Sequence, residues 1–381
     1  MRVLIVMRGE SIVGGGGAER RFGRLFAFFA ANADPDFNVM LVVNKALAEG
    51  LIASRIVERD AEGLIHPEED MGIPAFNRWL IRTVRHHQPD VVHLVLIQKS
   101  LLPFYLWLRA NEPVVVVSTL ASANLALDGK CSLMDSAVAR IVWDKSRTID
   151  SLYPGTEASL RLRRWRRRIR ISPCSFTDYS QYRPSPAKAN AIVFAGRLIE
   201  GKNPMLLVRA IERINHYAPT LFDTWKVAMY GDGPLKKHVI SGIDDYGLGS
   251  IVTVGCVDSM SSVLSESRVF VSLQSVDNYP SQSLLEAMAC ENLVIATDVG
   301  NTRLLVNEST GILVDTSVHS LSEALCDVMH SWDAYAPRAN RARLHAMEAH
   351  SIDRFASYLR NIWTQAATSS PARARMYNGG Y

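Results

Sequence analysis

Along most of the chain, short apolar runs alternate with longer segments in which apolar residues recur every three or four positions. The runs at 3–7, 37–43, 90–96 and 114–117 read as buried strands, and 75–87 and 100–110 have the period of helices. Residues 139–142 continue the series as a strand and 144–152 as a short helix. The alternation resumes with strands at 191–195, 225–230, 251–254, 269–273, 293–296 and 311–314. Helices are predicted at 205–217, from Ser281 to about Ala289, at 320–331 and at 352–364. Such alternation builds parallel sheets covered by helices on both faces, so the pattern predicts an α/β protein.

The series is interrupted once. Residues 171–186, ISPCSFTDYSQYRPSP, are rich in Pro and Ser, lack periodicity and read as a linker. A chain of 381 residues accommodates two domains of ordinary size. The predicted division is a first Rossmann-like domain at 1–170, the linker, a second at 187–350, a helix at 351–366 and a mobile polar tail at 367–381.

Composition excludes several classes. With 48% hydrophobic and 21% charged residues, the chain matches a soluble globular protein. Its apolar runs are too short to span a membrane, and the five after Arg2 are too few for a signal-peptide core, so a cytoplasmic protein is expected. The net charge of +4 is too small to argue for nucleic acid. Cys131, Cys174, Cys256, Cys290 and Cys326 stand singly, without zinc or redox spacing, and are expected as reduced core residues.

The stretch 269–300, VFVSLQSVDNYPSQSLLEAMACENLVIATDVG, concentrates the candidate chemistry. A buried strand leads into a polar loop with Asp277 and Asn278, and Ser281 caps the helix that follows. Glu286 lies in the second turn. The helix start offers the backbone amides near Ser283, Leu284 and Leu285 to an anion, flanked by acceptors for hydroxyl groups. A second cluster, GRLIEGKNP, follows the strand at 191–195. There Gly196 permits a sharp turn, and Arg197 and Lys202 stand beside the next helix start, as a diphosphate site requires.

These stretches resemble the family-4 retaining glycosyltransferases of GT-B fold, the glycosyl transferases group 1. Their donor signature pairs a glutamate with a second one eight positions later, inside Glu-Ala-Met-Ala. Here Glu286 is the second, Asn278 takes the place of the first, and Asp277 is the nearest carboxylate. Glu291 stands where relatives commonly have glycine. The resemblance implies two Rossmann-like domains facing a cleft. It implies Arg197 and Lys202 on the donor pyrophosphate, Glu286 on the ribose hydroxyls, and Asp277 or Asn278 on the sugar. It also implies Val257 near the base, and Gly231 in the matching turn Gly231-Asp232-Gly233-Pro234. In that turn Asp232 reads as a helix cap and Pro234 as the first helical residue.

The first half resembles the family less closely. Gly14–Gly17 follow the first strand, and Gly16, Gly17, Ala18 and Glu19 match a family stretch that approaches the donor phosphate or acceptor. A dinucleotide fold begins similarly, but the slot for its third glycine holds Glu19 or Arg20, and the second strand closes on Asn44 and Lys45 rather than an acid. His93 on the strand at 90–96 reads as structural. The run RLRRWRRRIR, from Arg161 to Arg170, reads either as a solvated edge or as a contact for an anionic membrane, with Trp165 at the headgroups.

The expected activity is metal-independent, retaining transfer of a sugar from a UDP-, GDP- or ADP-linked donor to a glycan or glycolipid acceptor, in lipopolysaccharide or other surface-polysaccharide assembly. No cofactor and no nucleic acid are expected, and the protein is expected in the cytoplasm or peripherally on the inner face of the cytoplasmic membrane, there held through Arg161 to Arg170. The competing readings are an epimerase-like or phosphorylase-like GT-B enzyme and a non-catalytic sugar-nucleotide binder, the latter kept open by Asn278 and Glu291.

Overall fold

The computed structural model describes residues 1–9, 17–32, 34–110, 115–120, 132–257, 259–277 and 279–368. Gly16, Asn278, Cys131 and the tail from 369 lie outside them. Two units result: Met1–Pro173 with Ile352–Tyr381, and Cys174–Ser351.

The first unit is built on seven strands: β1 (Arg2–Val6), β2 (Asn38–Val42), β3 (Leu64–Ile65), β4 (Val91–Leu94), β5 (Val115–Leu120), β6 (Ser146–Ser151) and β7 (Ile169–Ile171). All are parallel, in the order β3-β2-β1-β4-β5-β6-β7. The connecting helices are α1 (Gly17–Ala31), α2 (Lys45–Ala53), α3 (Ile73–His87), α4 (Leu102–Ala110) and α5 (Leu133–Lys145). Valine, leucine and isoleucine from β1, β2 and β4 are almost wholly buried, as the unbroken apolar runs require.

Two expectations are reversed here. Residues 139–142 belong to helix α5, and 146–151 form strand β6 rather than a helix. The buried residues of α5 are Val138, Ala139, Val142 and Trp143, which share one helical face; the β-branched run VARIV concealed that period. Strand β6 looks polar because it buries Ser146, Asp150 and Ser151, each satisfied internally. Ser146 Oγ donates to Ser118 Oγ at 3.0 Å, Thr119 Oγ1 donates to Asp150 Oδ2 at 3.0 Å, and Ser151 Oγ lies 2.9 Å from Thr156 Oγ1.

The second unit has β8 (Ala189–Ala195), β9 (Lys226–Tyr230), β10 (Val252–Gly255), β11 (Ser267–Ser272), β12 (Leu293–Thr297) and β13 (Gly311–Val314). These are parallel too, in the order β10-β9-β8-β11-β12-β13. Its helices are α6 (Pro204–Tyr217), α7 (Lys236–Asp245), α8 (Met260–Glu266), α9 (Gln282–Ala289), α10 (Val318–His330) and α11 (Trp332–Ala349). The first strand of the unit sits mid-sheet, and the winding reverses between β8 and β11, where doubly wound sheets hold ligands at the carboxyl edge.

The stretch read as a linker is more ordered than its composition implies. Beyond Pro173 it packs within the second unit: Cys174, Phe176 and Tyr182 are buried, and Tyr179 Oη donates to Ala346 O at 2.6 Å. Cys290 is also buried, whereas Cys256 is exposed and Cys326 half-buried, so the thiols are not uniformly core residues.

The last helix, α12 (Ile352–Thr368), belongs to the first unit. Its Trp363 Nε1 donates to His93 Nδ1 at 3.1 Å, and His93 Nε2 lies 2.7 Å from Thr119 Oγ1. Tyr358 Oη donates to Asp150 Oδ1 at 2.7 Å. The indole fixes the imidazole tautomer, so Nε2 carries the proton and donates to Thr119. Burial holds His93 far down, at about 3, and pushes Asp150 up to about 6. His93 is therefore a buried structural residue.

Helix α9 is held at its negative end by cations. Arg343 donates to Ala289 O, and Lys188 Nζ donates to Glu291 O at 3.0 Å. Glu291 itself has φ 56, the left-handed position past a helix end that favours glycine, and its carboxylate lies 3.6 Å from Arg343 Nε. A non-glycine residue there costs about 1–2 kcal/mol, against about 0–1 kcal/mol for a half-exposed ion pair. Glu291→Gly is therefore expected to melt at or above the wild-type temperature and Glu291→Ala below it. Scanning calorimetry giving the alanine variant the higher midpoint contradicts this account of the position.

Candidate functional site

The site is built where the winding of the second sheet reverses. Two loops leave the carboxyl ends of β8 and β11, and hydrogen bonds join them: Ser275 N donates to Gly201 O at 3.1 Å, and Asn203 Nδ2 donates to Leu273 O at 2.9 Å. Asn203 also opens α6, with Pro204 in its first turn. One residue thus starts a helix and ties the two motif loops together.

The β8 loop is supported from its other side by the loop after β9. Gly196 N donates to Tyr230 O, Leu198 N to Asp232 O and Leu235 N to Leu198 O, at 2.9–3.0 Å. The backbones approach so closely that a Cβ on Gly231 would lie 1.9 Å from Gly196 O. Gly196 and Gly231 therefore shape the loop that carries the cations. Asp232 does not cap a helix: α7 starts at Lys236, without a side-chain cap, and Asp232 Oδ1 lies 3.6 Å from Lys236 Nζ. Pro234 correspondingly sits in the turn before that helix.

Lys202 and Arg197 differ in setting. Arg197 is exposed, and Lys202 is half-buried. Burial lowers the Lys202 ammonium to about 8, and among the described residues it has no hydrogen-bond or ion-pair partner. Such a cation, withdrawn from water without a counter-charge, is stabilised by an arriving anion.

Across the joined loops lies the start of α9. Ser281 caps it, its side chain accepting from Leu284 N at 3.5 Å, and Leu285 N donates to Ser281 O at 3.2 Å. Leu284 and Leu285 thus have their amides engaged in the first turn. Among the described residues, the open donors of this turn are those of Gln282 and Ser283; of the three amides the sequence reading named, only that of Ser283 remains open. Glu286, on the same helix, is buried. Asp277 is fixed by two donors, Tyr279 N at 2.9 Å and Asn301 Nδ2 at 2.6 Å. Gly300, with φ 53, makes room for it: a Cβ there would lie 2.3 Å from the Asp277 side chain. Val257 is exposed on the loop after β10, at the same carboxyl edge.

Asn203, Gln282 and Asn301 are contributors that motif reading missed. Asn301 follows the Asp-Val-Gly turn that closes β12, and that turn was the available signal. In the first unit, Gly17 is the exposed first residue of α1, and Asn44 is committed to the backbone of Gly9 through bonds of 2.9 and 2.8 Å.

Comparison with known proteins agrees with this geometry. The family model described as Glycosyl transferases group 1 matches residues 189–331. Over 149 residues the chain is 26% identical to a Campylobacter jejuni GalNAc-alpha-(1->4)-GalNAc-alpha-(1->3)-diNAcBac-PP-undecaprenol alpha-1,4-N-acetyl-D-galactosaminyltransferase, covering 39% of this chain and 40% of that one. A second C. jejuni enzyme, N-acetylgalactosamine-N,N'-diacetylbacillosaminyl-diphospho-undecaprenol 4-alpha-N-acetylgalactosaminyltransferase, is 26% identical over 162 residues, 42% of each chain. The alignment thus spans about two fifths of the length of these curated relatives. Among solved structures, Anabaena HepE with UDP and glucose superposes with a TM-score of 0.74 at 14% identity, covering 96% of this chain and 100% of that one. Sucrose-phosphate synthase from Thermosynechococcus elongatus gives a TM-score of 0.75 at 17% identity, covering 97% and 100%. Residues 189–331 of the second unit thus match the glycosyl transferases group 1 model, and the fold is that of the GT-B class.

Proposed function

We propose that the protein is a retaining glycosyltransferase that moves a sugar from a nucleotide-diphosphate donor to a hydroxyl of a glycolipid acceptor, without a metal ion. The observation that carries this reading is Lys202, a partly desolvated cation without a partner among the described residues, on the loop tied to the front of α9. A diphosphate supplies the missing counter-charge. Arg197 adds a second cation, and the Gln282 and Ser283 amides add donors at the positive end of the helix. As the glycosidic bond breaks, charge accumulates on the departing diphosphate, and the same groups stabilise it. Retention follows from attack on the face the leaving group vacates, with the leaving phosphate taking the acceptor proton. Glu286 accepts from the ribose hydroxyls. Asp277, pre-oriented by Asn301, holds the sugar together with Asn278.

UDP is the first nucleotide to test, because HepE binds it and is a close structural neighbour. The two Campylobacter relatives act on diphospho-undecaprenol-linked glycans, which favours a lipid-linked acceptor, surface-polysaccharide assembly such as that of lipopolysaccharide, and a peripheral position at the membrane. Among the described residues, no helix is long and apolar enough to cross a bilayer. The non-catalytic reading loses one of its two supports, since Glu291 occupies the left-handed position behind α9 rather than the donor end.

Three outcomes follow. Lys202→Ala weakens UDP binding roughly tenfold to a hundredfold and uridine binding little, by calorimetric titration; equal losses contradict the phosphate role. Lys202 is charged below about pH 8 in the free protein, and bound diphosphate raises its pKa. UDP affinity therefore stays level between about pH 7 and 8, where the terminal phosphate is fully ionised, and falls above it, while Lys202→Arg flattens the profile; an unchanged fall in that variant counts against the assignment. Donor turnover persists in EDTA with the anomeric configuration kept, as proton NMR of the product reports; an absolute divalent-ion requirement or inversion overturns that part.

A further inference from the structure

The arginine run has no part in the donor site, and its structure gives it a different use. Residues Leu160–Arg168 form a nine-residue 3-10 helix. Side chains three apart align in such a helix, so it carries three rows. Leu162 and Trp165 make the inner row, and Trp165 is only 5% exposed against Trp143. That burial corrects the expectation of a tryptophan among lipid headgroups. Arg168 ends the inner row and donates to Trp143 O, Asp144 O and Ser146 O at 3.0–3.3 Å, closing the carbonyl end of α5. The other two rows are Arg161, Arg164, Arg167 and Leu160, Arg163, Arg166, all exposed.

Between this helix and the ends of α4 and α5 lies a pocket of about 300 Å³, lined by Arg109, Asp144, Lys145, Arg164, Trp165 and Arg168. Asp144, its one carboxylate, is already engaged: Trp165 Nε1 donates to Oδ1 at 2.9 Å, and Arg164 Nη2 lies 3.3 Å from the same oxygen. Four cations thus face one committed anion. Arg109 has no partner among the described residues. Leu106, one turn earlier on the same helix face, is 48% exposed, and Leu160 is 86% exposed. The pocket lies where α5 passes into β6, at the amino edge of the sheet, opposite the carboxyl edge where ligands of such sheets collect.

We propose that this pocket binds the phosphate of an anionic lipid headgroup, with the outer arginine rows lying along the bilayer surface. Cations interleaved with exposed aliphatic side chains suit the headgroup boundary. Binding of single-stranded nucleic acid would call for exposed aromatic rings to stack bases, and the one aromatic residue here is buried. The inference rests on the glycolipid reading only in its choice of a bilayer as the partner.

The test is sedimentation of the full chain with phosphatidylcholine vesicles, with and without phosphatidylglycerol. Binding is expected only with phosphatidylglycerol and should weaken as salt rises. The pocket double variant Arg109→Ala/Arg164→Ala should lose about fivefold in partitioning for each charge removed, and more than Arg163→Ala/Arg166→Ala, which removes the same charge from an outward row. Melting temperature and UDP affinity should stay at wild-type values in both. Equal losses in the two double variants, binding independent of phosphatidylglycerol, inorganic phosphate bound by the chain with no binding to vesicles, or preferential binding of an RNA oligonucleotide each overturn the proposal. Failure here with UDP binding intact leaves the proposed transferase standing; loss of UDP binding with vesicle binding intact does the reverse.

Discussion

A lysine drawn partly out of water, with no counter-charge among the described residues, is the constraint around which the second unit is arranged. Lys202 could escape that cost by turning to solvent, but its loop is pinned on both sides. Gly196, Leu198 and Leu235 bind it to the turn after β9, and Gly201 and Asn203 bind it to the loop after β11. The fold thus holds a charge partly out of water, as the proposed diphosphate site requires of a preorganised cation.

The signature helix α9 is specified at both ends. Its front is capped by Ser281 yet leaves two amides open, and its rear carbonyls are covered by Lys188 and Arg343. Cations at the rear reinforce the helix dipole, so its positive end stays at the loops that carry Lys202 and Asp277. Glu291 shows how a departure from the family pattern is absorbed. It adopts the backbone conformation glycine would favour and answers with a carboxylate beside Arg343. The departure concerns stability, and the open end of the helix is left as it was.

Much of this was legible in the sequence, and the failures have physical reasons. Strands such as β8, β11 and β12 are apolar runs buried on both faces, and the helix beginning at Ser281 carries its own cap, so local and tertiary demands agree. In α5 and β6 they disagree. A β-branched run was folded as helix because one face is buried, and a polar run became a strand because Ser118, Thr119 and Tyr358 satisfy it. Tyr358 is 208 residues from Asp150, beyond the reach of any local pattern. For the same reason motif reading named Arg197, Lys202 and Glu286 as candidates but passed over Asn203 and Asn301, which make contacts between loops. Of the three amides it named, those of Leu284 and Leu285 are taken up by the Ser281 side chain and carbonyl.

The first unit buries a chain of polar contacts from Trp363 through His93 and Thr119 to Asp150, each donor matched to an acceptor. In that chain His93, read as structural from the sequence, serves to dock α12. The account as a whole depends most on the state of Lys202. An NMR titration of its side chain, with and without saturating UDP, tests that state directly. The expected midpoint is about 8 in the free protein and clearly higher, toward the ordinary value of 10.5, in the complex. A midpoint unmoved by UDP would contradict the claim that this lysine waits for a diphosphate.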